Sequence, residues 1–375
     1  MRVLCKTCLA AAVLGITAIP TASAADQKPV PTISQVLAAS GIDISGYVDL
    51  SGTYSFLGNT TLRVFDTQPH SFNLNMAEVS ISKSGTDGFG GAVVLDAGED
   101  ADVIAPSGTS NTDQFDVQQA YLSYTSGPAS VMFGKMATLI GAEVIESPDN
   151  WNFSRSFLFG LAIPFTHTGV RGKYEVSKAL SVTLGVNNGW DNLKDLGTQK
   201  DVEWQVAFSP SDRWYANAQG IVGSESGFTP SATNSNPNPS PRFKGTRNLV
   251  DFVAGYNVTP QLALMANADY GTQEYGTATG GTATWVGFAG YAKYDLTEQW
   301  SLALRGEYFD DQDGFRTGTA QKLKEFTFTV GYAPVSSVVL RAEYRHDWSN
   351  KSVFTEENGV TKSQNTLAIE GIYRF

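Results

Sequence analysis

The sequence has almost no cysteine, little histidine and no long apolar run, and each shortage removes a class of function. Its two cysteines, Cys5 and Cys8, both fall in the first 24 residues. There Arg2 and Lys6, an apolar stretch from Leu9 to Ile19 and the trio Ala22-Ser23-Ala24 form the three parts of a secretory signal. Cleavage of that signal discards the CKTC quartet, and neither cysteine stands where lipoprotein processing requires one. Disulfides, CxxC redox chemistry and cysteine metal sites are therefore not expected. The signal core is too short to span a bilayer, and no later segment reaches ~18 uninterrupted apolar residues, so no transmembrane helix is expected. The three histidines, His70, His167 and His346, include no HExxH and no pair spaced for zinc. Basic residues are scarce too, with 26 Lys+Arg against 37 Asp+Glu. Loss of Arg2 and Lys6 leaves 24 against 37, a formal charge of −13 that argues against a nucleic-acid partner.

What is abundant is period-two patterning. Leu180, Val182, Leu184 and Val186 alternate with Ser181, Thr183 and Asn187; Val202, Trp204, Val206 and Phe208 alternate with Glu203 and Gln205. Similar strands begin near Val250, Trp300 and Phe326. In Ser71 to Ser82 the adjacent Met76 and Ala77 break the alternation, which predicts a bulge. The last ten residues put Leu367, Ile369, Gly371, Tyr373 and Phe375 on one face, to the final residue. Such an edge invites aggregation in a soluble domain but can pair with the first strand of a closed membrane barrel. This ending resembles the C-terminal signal that bacterial outer-membrane proteins present to their barrel-assembly machinery, with Tyr373 and Phe375 as its aromatic positions.

The expected organisation is a signal at 1–24, a periplasmic linker at 25–40 and a barrel over 41–375. Ile33, Val36 and Leu37 give the linker a short amphipathic helix. The fold class is all-β: a transmembrane antiparallel β-barrel of roughly sixteen strands with long extracellular loops. Short connectors carry turn chemistry, as in Ser126-Gly127-Pro128, Pro210-Ser211-Asp212, Thr259-Pro260 and Pro334-Val335-Ser336. They alternate with long ones: Leu57 to His70, Gly98 to Asp113, Ala137 to Phe165, Ser224 to Lys244 and Ser349 to Lys362. Trp204, Tyr256, Tyr291, Tyr294, Trp300, Tyr308, Tyr332, Tyr344 and Tyr373 sit as interfacial girdles do. About sixteen strands leave a water-filled lumen. Arg171, Lys173 and Glu175, and likewise Arg341, Glu343, Arg345 and Asp347, alternate with apolar or small residues and must face that water.

The connector Ala137 to Phe165 is the longest and follows the fifth strand. In porins generally that loop folds into the barrel and narrows it. The expectation is that Glu143, Glu146 and Asp149, beside Arg155, face Arg171, Arg305, Arg341 and Arg345 across a constriction, creating a transverse field. The alternative is that these arginines pair with wall carboxylates two residues along. Trp151, Phe153, Phe157 and Phe159 either line a path for a specific solute or pack the loop onto the wall.

Several blocks in order resemble the OmpL-like putative β-barrel porins: GYVD at Gly46, SFNLNMAEVS at Ser71, QAYLSY at Gln119, FGK at Phe133, GAEVIES at Gly141, DNWNFSRS at Asp149, PFTHTGVR at Pro164 and NNGWDN at Asn187. They cover the N-terminal half densely; the C-terminal half matches only as generic barrel. The resemblance implies an outer-membrane, pore-type protein of largely uncharacterised substrate, with no catalytic residues to carry over. With the water-filled lumen, the expected function is a diffusion channel for small hydrophilic solutes that needs no cofactor. Outer-membrane lipids, lipopolysaccharide and the assembly machinery are the expected partners, with trimerisation by analogy to general porins.

Two rivals remain open. A substrate-specific uptake channel would share every feature above. A barrel-anchored surface enzyme would need a nucleophile, but His167 near Ser154 and Ser156 has no GxSxG elbow or spaced acid beside it, so a hydrogen-bonding role at the rim fits better. Acidic clusters at Asp96, Glu99, Asp100 and Asp102, and at Asp310, Asp311 and Asp313, have oxygen ligands of the kind calcium takes; Phe309 breaks the EF-hand pattern in the second. Solvated surface loops are the simpler account of both.

Overall fold

The computed structural model describes residues 31–85, 87–106, 114–195, 200–226 and 244–375. The expected signal at 1–24 and the Asn/Ser/Pro-rich stretch 229–241 lie outside the described residues. The chain divides into two units, Met1–Ser40 and Gly41–Phe375. In the first, α1 (Ile33–Ser40) opens on a reciprocal cap. Thr32 N donates to Gln35 Oε1 at 2.9 Å and Gln35 N donates to Thr32 Oγ1 at 3.3 Å, which satisfies amides that lack an intrahelical acceptor.

In the second unit sixteen antiparallel strands close on themselves. They run β1 (Ile42–Ser55), β2 (Phe72–Lys83), β3 (Gly88–Ala97), β4 (Phe115–Ser126), β5 (Ala129–Ala137), β6 (Thr166–Glu175), β7 (Leu180–Asn187) and β8 (Asp201–Ser211). There follow β9 (Trp214–Ser226), β10 (Lys244–Asn257), β11 (Leu262–Gln273), β12 (Ala283–Asp295), β13 (Trp300–Asp311), β14 (Gln321–Val335) and β15 (Val338–Ser349). A small hairpin of β16 (Phe354–Glu356) and β17 (Gly359–Thr361) stands apart, and β18 (Ser363–Arg374) fills the gap between β15 and β1. Closure leaves no sheet edge, as a bilayer requires.

The seam uses the chain's last residue. Gly46 N donates to Phe375 O and Phe375 N donates to Gly46 O, each at 3.0 Å. A Cβ on Gly46 would lie 2.6 Å from the Phe375 ring, so glycine makes room for the terminal aromatic. Tyr373 and Phe375 both project outward, exposed.

Alternation sets the two faces. On β15, Arg341, Glu343, Arg345 and Asp347 point inward and are buried, while Leu340 and Tyr344 point outward and are exposed. The expected bulge is present: Asp49 lies opposite Met76 but Leu50 opposite Leu74, leaving Asn75 extra. A second one skips Gln118 between β3 and β4. One aromatic departs from the girdle pattern. Tyr291 sits on the inward face of β12, buried, with its ring edge-on to Trp151 at 6.4 Å.

The long connectors are L1 (56–71), L2 (98–114), L3 (138–165), L4 (188–200), L5 (227–243), L6 (274–282), L7 (312–320) and L8 (350–362). L2 carries a short helix, α2 (Glu99–Ile104). The apolar core lies among the loops, inside the ring. Phe65 of L1, Ile104 of α2, Phe157 and Leu158 of L3, Trp190 of L4 and Phe315 of L7 form one buried cluster with Trp285 of the wall. Only L3 was expected inward from its sequence; the apolar content of L1, L2, L4 and L7 brings them in as well.

Candidate functional site

L3 leaves β5 and traverses the ring. β5 and β13 lie eight strands apart, on opposite sides of the barrel. Along the way Gly141 N donates to Asp251 Oδ1 of β10 at 3.3 Å and Ala142 N to Asn267 Oδ1 of β11 at 3.2 Å. At the far wall the loop is bonded in both polarities. Wall carboxylates cap its turns: Glu343 accepts from Phe153 N and Ser154 N at 2.7 and 3.0 Å, and Glu307 accepts from Phe157 N and Leu158 N at 2.7 and 2.5 Å. Wall arginines take its carbonyls: Arg341 donates to Ser147 O and Asn150 O, Arg305 to Ser154 O, and Arg345 to Arg155 O. Charge-assisted bonds in a water-poor site are the stronger kind, so L3 is welded to β13–β15.

The expected residues separate into distinct roles. Arg305 holds Glu143 of L3 and Glu325 of β14, each at 2.7 Å. Arg341 pairs with Glu370 at 2.9 Å and Arg345 with Asp347 at 2.6 Å. Arg345 thus follows the two-residue pairing, while Arg305 and Arg341 choose neighbouring strands. Arg171 lies on another part of the wall, where it binds Glu203 at 2.8 Å and the carbonyl of Ala137 at 3.0 Å. Gly185, between them on β7, has no side chain to block that reach; a Cβ there would lie 2.3 Å from Glu203 Oε1. Arg155 turns back into its own loop and donates to the carbonyls of Val144, Phe153 and Ile145 at 3.0, 2.6 and 2.7 Å. Of the arginines expected to face the loop carboxylates, Arg305 touches Glu143 directly.

The other two loop carboxylates go elsewhere. Glu146 accepts from Gln118 Nε2 at 2.7 Å, and the β4 bulge aims Gln118 inward for that contact. Asp149 is exposed and, with Arg341, lines a cavity of about 530 Å³ that also receives Trp151, Lys293, Glu298 and Arg374. Phe153, Phe157 and Phe159 are buried, so of the four loop aromatics only Trp151 reaches that cavity.

Across β1–β4 the wall is different. Tyr47, Glu78, Asp96 and Asp116 stand directly opposite one another on successive strands and all are buried. Lys135 holds Asp116 at 2.8 Å. Among the described residues no cation pairs with Glu78 or Asp96, and neither oxygen of Asp96 has a protein hydrogen-bond partner. Like charges directly opposite oppose folding, so this rank is not explained by stability. Its signal was in the sequence: single acids among apolar neighbours, in Ala77-Glu78-Val79, Leu95-Asp96-Ala97 and Phe115-Asp116-Val117.

Sequence reasoning also missed two anchors outside L3. In L1, Arg63 donates to Asp347 at 2.9 Å and to Thr366 at 3.1 Å, and pairs with Asp66. Phe65 beside it packs on Phe159, with centroids 5.6 Å apart. In L4, Trp190 lies between Arg247 at 4.8 Å and Arg316 at 5.2 Å, a cation–π arrangement strengthened by exclusion of water. Burial and the neighbouring Arg247 push the Arg316 guanidinium down to about 9. Asp191 of L4 accepts from Phe165 N at 2.6 Å and Thr166 N at 3.0 Å, fixing the exit of L3. Burial pushes its carboxyl up to about 6 against the pull of those two amides.

His167 is buried at the start of β6, with its ring near Thr138 Oγ1 at 3.2 Å and Gly189 O at 3.3 Å. Ser154 Oγ instead meets Arg305 and Arg345. Among the described residues no group of three or more His, Cys, Asp or Glu is placed to hold a metal ion. In the acidic loop clusters, Asp102 accepts from Gln114 N, Asp313 from Thr284 N and Asp311 from Arg316 N.

A family model described as putative beta-barrel porin-2, OmpL-like, matches residues 41–375. No curated protein matches at the sequence level. Among solved structures, the outer-membrane channel DcaP of Acinetobacter baumannii is 15% identical, with a TM-score of 0.61 over 89% of this chain and 97% of that one. The anion-selective porin from Comamonas acidovorans is 10% identical, with a TM-score of 0.62 over 89% and 99%. The trimer form of OmpT, an outer-membrane protein of Vibrio cholerae, is 13% identical, with a TM-score of 0.61 over 89% and 99%. Likeness at this identity concerns the fold.

Proposed function

Because this chain belongs to the putative β-barrel porin-2, OmpL-like family, and is therefore an outer-membrane channel for passive diffusion, we propose that it filters small hydrophilic solutes by size and charge at L3 and favours cations. One observation carries the sign. The wall arginines are matched by carboxylates and loop carbonyls, whereas Glu78 and Asp96, on the inward side of β2 and β3 and buried, have no cation partner among the described residues. An acidic wall left without matching cations biases a narrow aqueous passage toward cations and against anions. Glu143, Arg305, Arg341 and Arg345 then position the constriction, and Asp149 adds charge at the cavity on its flank.

The test is the reversal potential of single channels in a planar bilayer across a salt gradient. Cation preference supports the proposal, and weakening of it by E78Q/D96N assigns it to the rank. Anion preference in the unaltered protein would sink the charge filter while leaving the channel standing.

The traverse of L3 favours a second reading, substrate-specific uptake. A lumen crossed by an ordered loop gives small conductance steps and flux that saturates with solute, which liposome uptake measures. A homotrimer, surrounding lipopolysaccharide and recognition of Tyr373 and Phe375 by the assembly machinery complete the proposed setting.

A further inference from the structure

Lysines rarely point at lipid, because a charge there costs about 2–4 kcal/mol at the bilayer midplane and little at the interface. β14 presents two at successive outward positions, Lys322 and Lys324, both exposed, followed by Phe326 and Phe328. Among the described residues no other strand carries basic side chains at two successive outward positions. They stand at the end that meets L7 and L8, the long-loop side. Lys324 lies opposite Tyr308 of β13 and Trp348 of β15, aromatics of the kind that mark headgroup level. Asn350 N donates to Lys322 O at 3.2 Å, and Ser349 N donates to Lys362 O at 2.8 Å. Those bonds bring the root of L8, with the exposed Lys351 and Lys362, to the same rim. The nearby carboxylate is Asp310, 3.6 Å from Lys322; Glu356 and Glu357 stand at the tip of the L8 hairpin. In a chain of net charge −11 this is a local positive excess.

Beneath the rim the same face is hollow. Phe328, Tyr344 and Leu367 stand in one cross-strand row, and Val330, Ala342 and Ile369 in the next. Gly52 and Ala342 put small residues on this outward surface, and an apolar groove of about 630 Å³ opens over them. Each step of two residues along β14 spans about 7 Å, so the groove begins roughly two steps below Lys324. His70 borders it, edge-on to Tyr54 at 4.8 Å. His346 lies in the row between groove and lysines, stacked on Trp348 at 5.1 Å.

We propose that this face of β14, β15, β18 and β1 is a docking site for a phosphorylated glycolipid of the outer leaflet, lipopolysaccharide. Lys322 and Lys324 take its phosphate and the groove takes an acyl chain. Charge complementarity selects this occupant. A second copy of the acidic chain seated here would bury the lysines, of which Lys322 has Asp310 as its one ion-pair partner among the described residues. A zwitterionic phospholipid would use the groove and leave the lysines without a purpose. The inference rests on the outer-membrane placement, but not on the direction of ion preference.

The experiment is native mass spectrometry of the refolded full-length barrel, titrated with deep-rough lipopolysaccharide, its dephosphorylated form or phosphatidylethanolamine. Folding is checked by heat-modifiable gel mobility and channel conductance in parallel. The expected result is tight retention of the phosphorylated lipid alone. K322E/K324E should weaken retention by at least about tenfold, and A342F, which fills the groove, should weaken it with the lysines intact. Conductance should be unchanged in both, separating this result from failure of the channel reading. Equal retention of all three lipids, full competition by inorganic phosphate, or unaltered binding by folded K322E/K324E would overturn the proposal. So would a change in oligomeric state by A342F with lipid retention intact, since a second copy would then occupy the groove.

Discussion

Two walls of one barrel obey the same alternation and use it in opposite ways. On β13–β15 and β18 the inward positions carry Arg305, Arg341 and Arg345 among Glu307, Glu325, Glu343, Asp347 and Glu370, and L3 gives its carbonyls to the three arginines and its amides to Glu307 and Glu343. On β1–β4 the inward positions carry Asp49, Glu78, Asp96 and Asp116, with Lys135 bound to the last. The first wall uses charge as structure, since removal of either partner strands the other in a buried site. The second leaves Glu78 and Asp96 buried without a matching cation among the described residues. Polarity inside a barrel is therefore not one property: matched charge anchors a loop, and the unmatched rank is where the proposed cation preference originates.

The largest expected effect comes from breaking the first wall. R305M leaves Glu143 without its cation and Glu325 with only Arg345, 3.6 Å away, and should cost about 3–5 kcal/mol. It should lower the thermal transition and turn steady single-channel steps into larger, noisier ones as L3 detaches. Unchanged conductance at reduced stability would mean that L3 holds without this residue.

On the second wall E78Q/D96N should do the reverse. Two unpartnered charges disappear, so stability holds or rises by about 1 kcal/mol, while cation preference falls several-fold. A loss of stability would show that an unseen partner had matched them.

The exit of L3 gives a pH-dependent comparison. The Asp191 carboxyl rises from an ordinary value of 3.8 to about 6 in the folded protein, so folding favours its protonated form. That contribution is full below about pH 4 and is lost as pH rises through about 6. Chemical-denaturation midpoints between pH 4 and 7 should follow this fall, and D191N should flatten it.

The smallest change in selectivity is expected from K135M. It releases Asp116 and should raise cation preference slightly, on the order of 1.5-fold, measurable as a shift of a few millivolts in reversal potential.

Much of the barrel was legible in the chain because its signals are local. Alternation, turn residues and connector lengths all repeat every few residues, and the Ser71–Ser82 pattern even revealed the bulge at Asn75. L3 was legible as an unusual loop following the fifth strand. Its contacts were not, because Gly141 reaches Asp251 and Ser147 reaches Glu370 across more than a hundred residues. L1 hid its role for a related reason: Arg63, Val64 and Phe65 look like ordinary loop residues until Asp347, Thr366 and Phe159 surround them.

The sequence by itself determined the class of the molecule. A period of two assigns each side chain to lipid or lumen, and an apolar outward face with a polar inward one is stable only as a closed membrane barrel. Only the tertiary structure decided which charges are neutralised. An arginine's partner depends on strand register and on a loop crossing the ring, both of which join residues far apart in the chain. Arg305 with Glu143 and Asp96 without a cation differ in nothing that their immediate neighbours record.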